Sequence, residues 1–61
     1  MPAHFEVWQA ENNEWHWHLK ADNGETVAEG QGYASQEEAK AGCEAVKRAA
    51  AEAHIVEAKA A

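Results

Sequence analysis

The most constraining feature of the sequence is a strict alternation of apolar and polar residues between Glu14 and Lys20. The apolar set is Trp15, Trp17 and Leu19, and the polar set is His16, His18 and Lys20. Side chains of an extended strand point alternately to its two faces, so the two sets occupy opposite sides. The run therefore predicts a sheet strand with one buried face and one face open to solvent.

Two further segments have weaker strand character. Residues 4–9 alternate as well, with Phe5 and Val7 on one side, and residues 25–29 form a third candidate strand. β-branched and aromatic side chains suit a pleated, half-buried surface. The first half of the chain therefore predicts a three-stranded meander.

The turn between the second and third strands is signalled by Asn23-Gly24. This dipeptide between two strand-like runs predicts a type I′ hairpin, which needs two positive φ angles. Such a turn pairs two residues of the second strand with small residues of the third; the pairs are Leu19–Ala28 and Trp17–Gly30. An aromatic side chain lying over a strand glycine covers an otherwise bare stretch of sheet.

The connection between the first two strands admits two registers. A two-residue loop over 12–13 sets Trp17 opposite Trp8 and moves the apolar residues of the first strand to the histidine side. A three-residue loop over 11–13, with Asn13 left-handed, keeps the large apolar side chains together; its pairs are Phe5–Leu19, Val7–Trp17 and Gln9–Trp15. A slip of one residue exchanges the two faces of a strand, so a consistent core favours the three-residue loop.

The second half of the chain carries the signature of a helix. Ser35 as the N-cap and Glu38 three residues later match a capping box. Small and apolar residues then recur at helical spacing on one stripe, made of Ala39, Gly42, Cys43, Val46 and Ala50. Because all but one of these are small, we expect the helix to approach the sheet closely, with the two tryptophans of the second strand filling the space above Gly42.

The last segment predicts a fourth strand and a partner chain. Residues 53–57 include Ile55 and Val56, and the element order becomes βββαβ, an α+β fold in one domain spanning residues 1–61. A domain of this size buries only about 60% of its unfolded surface. Cys43 is the only cysteine, so no disulfide can form within the chain. We therefore expect a second chain to complete the core, with a bound metal as the alternative.

The charge balance excludes several classes of partner. Five basic residues stand against 11 acidic ones, a net charge of −6, and no basic stripe is available to neutralise phosphates, so we expect no nucleic acid. No segment reaches the roughly 20 apolar residues of a membrane span, and residues 1–20 lack a secretory signal. The prediction is a soluble cytoplasmic protein, whose acidity fits either a high-salt cytoplasm or an ordinary one.

Several motifs resemble one family. The run EWHWHLKADNG, residues 14–24, is similar to the W-x-[FW]-x-L-K-A-x-N-G core of the YegP-like domains. Gly32-Tyr33-x-Ser35 resembles the start of their helix, and further matches follow at Ala39, Gly42, Val46 and Lys47. The likeness covers nearly the whole chain in the same order and spacing, with departures at Asn13, His18, Cys43 and Ala49.

The resemblance implies a fold and an assembly but no activity. Members of this family are bacterial and archaeal, and no biochemical activity is established for them. Their fold is a βββα unit with a final strand, and two units form one sheet by exchanging those strands. The resemblance thus implies a strand-exchanged homodimer, in which Ile55 and Val56 lie at the interface.

The polar face of the sheet holds the candidate site. In the favoured register His18 lies between Glu6 and Glu29, and His16 lies opposite Trp8. Two histidines at positions i and i+2 of a strand bind Zn²⁺ or Ni²⁺ when a third ligand converges; otherwise His18 is a solvated residue paired with the carboxylates. Trp8 either stacks on a ligand or contacts a partner chain, and we expect the contact.

No residue presents the pattern of a catalyst. Cys43 lies on the buried helical stripe without a base at contact spacing, so we predict no catalytic residue, no metal and no cofactor. The predicted function is a small homodimeric binding or interaction module without activity of its own. The alternative is a metal- or small-molecule-binding protein that uses His16 and His18.

Overall fold

One antiparallel sheet and one helix make up the fold, which a computed structural model describes for residues 2–59. The strands are β1 (His4–Gln9), β2 (Trp15–Lys20) and β3 (Thr26–Tyr33), in the order β1-β2-β3 across the sheet. The helix α1 (Gln36–Glu52) follows β3 and packs on one face of the sheet. Three antiparallel strands followed by a helix confirm the α+β class and the first four predicted elements.

The first hairpin has the predicted three-residue loop. Asn13 is left-handed with a φ of 68°, and the Ala10 amide donates to the Glu14 carbonyl at 2.8 Å. Asn12 Oδ1 accepts from the Glu14 amide at 3.1 Å and so holds the loop closed. The predicted pairs are confirmed: Phe5–Leu19, Val7–Trp17 and Gln9–Trp15.

The second hairpin uses the same loop and not the predicted type I′ turn. The Ala21 amide donates to the Glu25 carbonyl at 2.8 Å, so the loop has three residues, 22–24. Gly24 has a φ of 89°, whereas Asn23 is not in the positive-φ region. Asn23 Oδ1 instead accepts from the Glu25 amide at 3.0 Å, as Asn12 does in the first hairpin. The type I′ prediction is wrong, because the asparagine is used for this side-chain hydrogen bond.

An irregularity in β3 nevertheless restores the predicted pairing. Lys20 pairs with Thr26 while Leu19 pairs with Ala28, which leaves Val27 without a partner on β2. The unpaired Val27 adds one residue to β3. It compensates for the one residue by which the loop over 22–24 is longer than the predicted two-residue turn, as a β-bulge does. The predicted pairs Leu19–Ala28 and Trp17–Gly30 are therefore confirmed.

The core lies between the sheet and α1 and centres on one tryptophan. Trp17, Ala39 and Cys43 are buried. The ring of Trp17 meets that of Phe5 edge to face, with 5.6 Å between centroids, and its Nε1 donates to Tyr33 Oη at 3.0 Å. The indole is thus held by packing and by a hydrogen bond that satisfies its polar atom.

The residue above Gly42 is Tyr33, and not the predicted tryptophans. A Cβ added at Gly42 would lie 2.8 Å from Tyr33 Cζ. Tyr33 ends β3 directly before the helix, so its ring reaches under α1, while the indole of Trp17 is directed to Gly30. The predicted close approach of the helix to the sheet at Gly42 is confirmed, but the residue that it contacts there is Tyr33 and not a tryptophan.

The two ends of α1 differ. Ser35 Oγ accepts from the Glu38 amide at 3.1 Å, which confirms the predicted N-cap, and the Glu38 carboxylate accepts from the Ala34 amide at 3.3 Å. At the other end Ala50, predicted to lie on the buried stripe, is exposed. Among the described residues, no helix is both long and apolar enough to cross a lipid bilayer.

The segment after α1 forms no strand in the single chain. Residues 53–59 have no regular secondary structure and are exposed, including Ile55 and Val56, which are 102% and 79% exposed. A strand needs a neighbour that accepts its ladder hydrogen bonds, and this segment pairs with no described strand. The predicted fourth strand is therefore not a feature of the isolated chain.

Candidate functional site

The sheet face opposite α1 collects the predicted candidate residues. We call it the histidine face; its members are His4, Glu6, Trp8, His16, His18, Lys20 and Glu29. Glu6 and Glu29 flank His18 on the neighbouring strands, and Trp8 is opposite His16, as predicted from the register. The strand pairing alone brings these side chains together, because every second residue of each strand faces the same side.

Two histidines hold one carboxylate at the centre of this face. His18 Nε2 donates to Glu6 Oε1 at 2.5 Å, and His4 Nε2 donates to Glu6 Oε2 at 2.8 Å. The hydrogen bonds from His4 and then His18 lower the pKa of Glu6 from 4.5 to about 2. The same bond to Glu6 raises the pKa of His4 above its ordinary 6.5.

This cluster predicts a particular pH dependence of stability. A carboxylate whose pKa is lowered on folding stabilises the protein above its unfolded pKa, and that contribution is lost as pH falls toward about 2. The raised pKa of His4 gives the opposite pH dependence. Its contribution to the stability of the fold is fully present below pH 6.5 and is lost as the pH rises through the pKa of the folded state. We expect Glu6→Gln to lower the urea midpoint at pH 5.5–6 and to lose less stability than wild type between about pH 4.5 and 2.

The control for this prediction is Glu11→Gln, which removes an exposed loop carboxylate outside the cluster. Its urea midpoint should follow that of the wild type across the whole acid range. Because Glu6 is about half exposed, solvent screening keeps the effect small. Parallel midpoint curves for Glu6→Gln and wild type would contradict the assignment.

Trp8 packs against both histidines of β2. Its ring centroid lies 4.6 Å from that of His18 and 5.5 Å from that of His16. The indole is still 39% exposed, so part of it remains available to a ligand or a partner. The aromatic cluster fixes the ring without covering it.

A cleft opens beside Trp8, where β3 departs from regular pairing. Its volume is about 240 Å³, and its lining is Trp8, His16, Glu29, Gly30 and Gln31. His16 Nε2 is enclosed, makes no hydrogen bond with any described residue and lies 3.9 Å from Glu14 Oε1. Sequence reasoning placed three of these residues on one face but missed Gly30 and Gln31 as part of the cleft. The available signal was the Gly30-x-Gly32 spacing, because glycines inside a strand indicate a bulge or a bend.

The geometry gives the metal alternative no support. His18 Nε2 is engaged with Glu6, and within residues 2–59 no group of three histidine, cysteine or acidic side chains is placed to hold a metal ion. Cys43, the other residue considered for chemistry, is a buried free thiol. Burial raises the pKa of that thiol, which disfavours the reactive thiolate.

A second concavity lies at the opposite edge, between β1 and the end of α1. This apolar groove has a volume of about 480 Å³; its lining is Ala3, His4, Phe5, Leu19, Val46, Lys47 and Ala50. β1 is an edge strand with no neighbour on its outer side in the described sheet. The groove thus adjoins unpaired backbone groups, a common site for strand addition.

Comparison with known proteins assigns the family. The family described as a domain of unknown function, DUF1508, matches residues 10–57. The chain belongs to this family. DUF1508 has no assigned reaction in that description, so membership identifies the fold and the relatives but names no substrate. The predicted resemblance to an uncharacterised small-domain family is confirmed.

The relatives agree with the DUF1508 assignment. A UPF0339 protein of Pseudomonas aeruginosa is 53% identical over 51 residues, which are 84% of this chain and 46% of the relative. A UPF0339 protein of Treponema denticola is 37% identical over 57 residues, 93% of this chain and 98% of the relative. The chain thus spans about half the length of the first relative and nearly all of the second.

A solved structure shares the DUF1508 fold described above. The solution NMR structure of a protein from Haloferax volcanii matches with a TM-score of 0.81 and 46% identity. The match covers 93% of this chain and 97% of that one. The three-stranded sheet with one helix is therefore supported by an experimental relative.

Proposed function

We propose that this chain is a homodimeric binding module without enzymatic activity, in which each chain adds its last segment as a strand to its partner. The observation that carries the proposal is the complete exposure of Ile55 beside a neighbour, Val56, that is 79% exposed. Two adjacent large apolar residues in water are unusual outside an interaction surface. They form the apolar patch that a second chain would bury.

The groove between β1 and α1 is the surface that we propose for this segment. Its volume, about 480 Å³, accommodates a large aliphatic side chain, and Phe5, Leu19 and Val46 supply an apolar lining. The outer edge of β1 offers unpaired amides and carbonyls to residues 53–57 of the second chain. Backbone hydrogen bonds then add to the burial of one side chain in the groove, as in other cases of strand addition.

The thin core makes such an arrangement favourable. Only Trp17, Ala39 and Cys43 are buried among the described residues. Small domains with so little buried apolar area usually gain stability from a disulfide, a metal or a partner chain. Exchange of the last segments would extend the core of both chains at once.

The histidine face is the ligand surface of the proposed module. It lies on the side of the sheet opposite α1 and carries an exposed tryptophan, Trp8, and the exposed residue Glu29. The carboxylate of Glu6 on the same face is engaged by His4 and His18. We propose a cytoplasmic setting for the module, because its one cysteine is a free thiol.

Sedimentation velocity combined with thermal unfolding tests the dimer. We expect a dimer at about 100 µM and a melting midpoint that rises with protein concentration, because association stabilises the folded state by mass action. The same midpoint over about a hundredfold range of concentration, together with a monomer throughout, would contradict the proposal.

A further inference from the structure

The cleft on the histidine face results from an irregularity of β3. Trp17 pairs with Gly30 and Trp15 pairs with Tyr33, which leaves two residues, 31 and 32, opposite the single residue His16. Gly32 has a φ of 87°, a conformation that a residue with a side chain rarely adopts. Bulges of this kind redirect side chains and often adjoin binding sites.

The cleft is an acidic site with no cation of its own. The carboxylate of Glu29 makes no hydrogen bond or ion pair with any described residue, and no lysine or arginine lines the cleft. A second carboxylate, that of Glu14, lies 3.9 Å from His16 Nε2. Of the two histidines of β2, His16 lines the cleft but makes no hydrogen bond through its Nε2 with any described residue, and His18 gives its Nε2 to Glu6. The electrostatic potential therefore favours a positively charged ligand.

The indole of Trp8, which lines the cleft, favours one class of cation over another. Trp8 lines the cleft and is 39% exposed, and indole is the ring that attracts cations most strongly. A guanidinium group is planar, stacks on aromatic faces and donates two parallel hydrogen bonds to one carboxylate. An ammonium group is a compact, strongly hydrated charge that uses this combination less well.

We propose that this cleft binds a guanidinium group, which pairs with Glu29 and stacks against Trp8. The volume of about 240 Å³ admits such a group and a short aliphatic stem. Gln31 also lines the cleft, and a glutamine side chain offers a carbonyl oxygen as a further acceptor. The inference rests on the proposed role of the histidine face as the ligand surface, although the cleft itself is formed by one chain.

The test is a titration of the full chain followed by ¹H–¹⁵N NMR, including the indole signals of the tryptophans. The probes are methylguanidinium, methylammonium, acetate and Zn²⁺ at constant ionic strength. We expect methylguanidinium to shift the Trp8 indole and the amides of residues 29–31, with a Kd of about 1–10 mM. Methylammonium should bind at least about threefold more weakly.

Variants locate the binding group. Glu29→Gln should weaken methylguanidinium binding by about tenfold, because the charged acceptor is lost, and Trp8→Leu should weaken it through loss of the stacked ring. Glu25→Gln removes a carboxylate outside the cleft and serves as the matched control, with an unchanged Kd. Equal binding to wild type and Glu29→Gln would overturn the proposal.

Two further probes distinguish the source of the guanidinium. Free arginine carries a carboxylate and an ammonium, whereas N-acetyl-arginine methylamide resembles an arginine within a peptide. Tighter binding of the amide would indicate a protein partner with an exposed arginine, and tighter binding of the free amino acid would indicate a metabolite.

The remaining outcomes separate the failure of this inference from that of the proposed function. Shifts caused by acetate or Zn²⁺ but not by methylguanidinium would overturn the guanidinium class and leave a ligand-binding face. Absence of shifts with every probe would overturn both the ligand class and the binding role of the face. A monomer in sedimentation would overturn the dimer alone.

Discussion

Gly30→Ala is expected to destabilise the fold by about 1–3 kcal/mol, the usual cost of overpacking a well-filled core. The added Cβ would lie 2.6 Å from Cε2 and 2.8 Å from Cζ2 of Trp17. The indole cannot move aside easily, because it is 4% exposed and its Nε1 donates to Tyr33 Oη. For a domain of this size the loss corresponds to a melting midpoint lower by roughly 4–20 °C at fixed protein concentration.

A double-mutant cycle shows whether the collision with Trp17 is the cause. Trp17→Phe costs stability by itself, but its smaller ring leaves room for a methyl group at residue 30. Gly30→Ala should therefore cost at least about 1 kcal/mol less in the Trp17→Phe background than in the wild type. A Gly30→Ala protein as stable as the wild type would contradict the close packing seen here, because alanine is otherwise the better strand residue.

The sequence was sufficient to predict the sheet register. The alternation around Trp17 is unambiguous, and only one loop length brings Phe5 and Val7 to the same side as the tryptophans, so the first hairpin followed from consistency of the core. The second register was right despite a wrong turn type. In the second hairpin the loop is one residue longer than predicted, and the unpaired Val27 in β3 compensates for this residue. No local sequence pattern indicates that Val27 is unpaired.

The cleft could not be predicted for a related reason. Its shape depends on the bulge at Gln31 and Gly32 opposite His16, and glycine spacing alone does not distinguish a bulge from a bend. The contact between Tyr33 and Gly42 was not predicted, because it depends on the direction of the Tyr33 side chain. Tyr33 ends its strand under the helix, where its hydroxyl also accepts from Trp17, and this hydrogen bond joins positions 16 residues apart.

The last segment lies beyond prediction from a single chain, since its structure depends on a neighbour. Replacement of Ile55 and Val56 together by serine is expected to convert the proposed dimer into monomers. Successive side chains of a strand point to opposite faces, so one of the two enters the groove. Burial of such a side chain contributes about 1.5–3 kcal/mol, and a dimer would bury one from each chain. With allowance for incomplete burial, the Kd for dimerisation should rise by about 10²-fold.

Two control variants test whether the loss of the dimer is specific to the apolar side chains of residues 53–57 and to the groove between β1 and α1. Ala53→Ser with Ala58→Ser adds the same hydroxyl groups to exposed positions of the segment and should leave the dimer intact. Ala50→Glu places a charged side chain in the groove from an exposed helical position, so it should weaken dimerisation without loss of the monomer fold. Sedimentation velocity at about 100 µM reads out all three proteins, with circular dichroism as the check on folding. If the double serine variant still sediments as a dimer, the interface lies elsewhere, and the exposure of Ile55 has another cause.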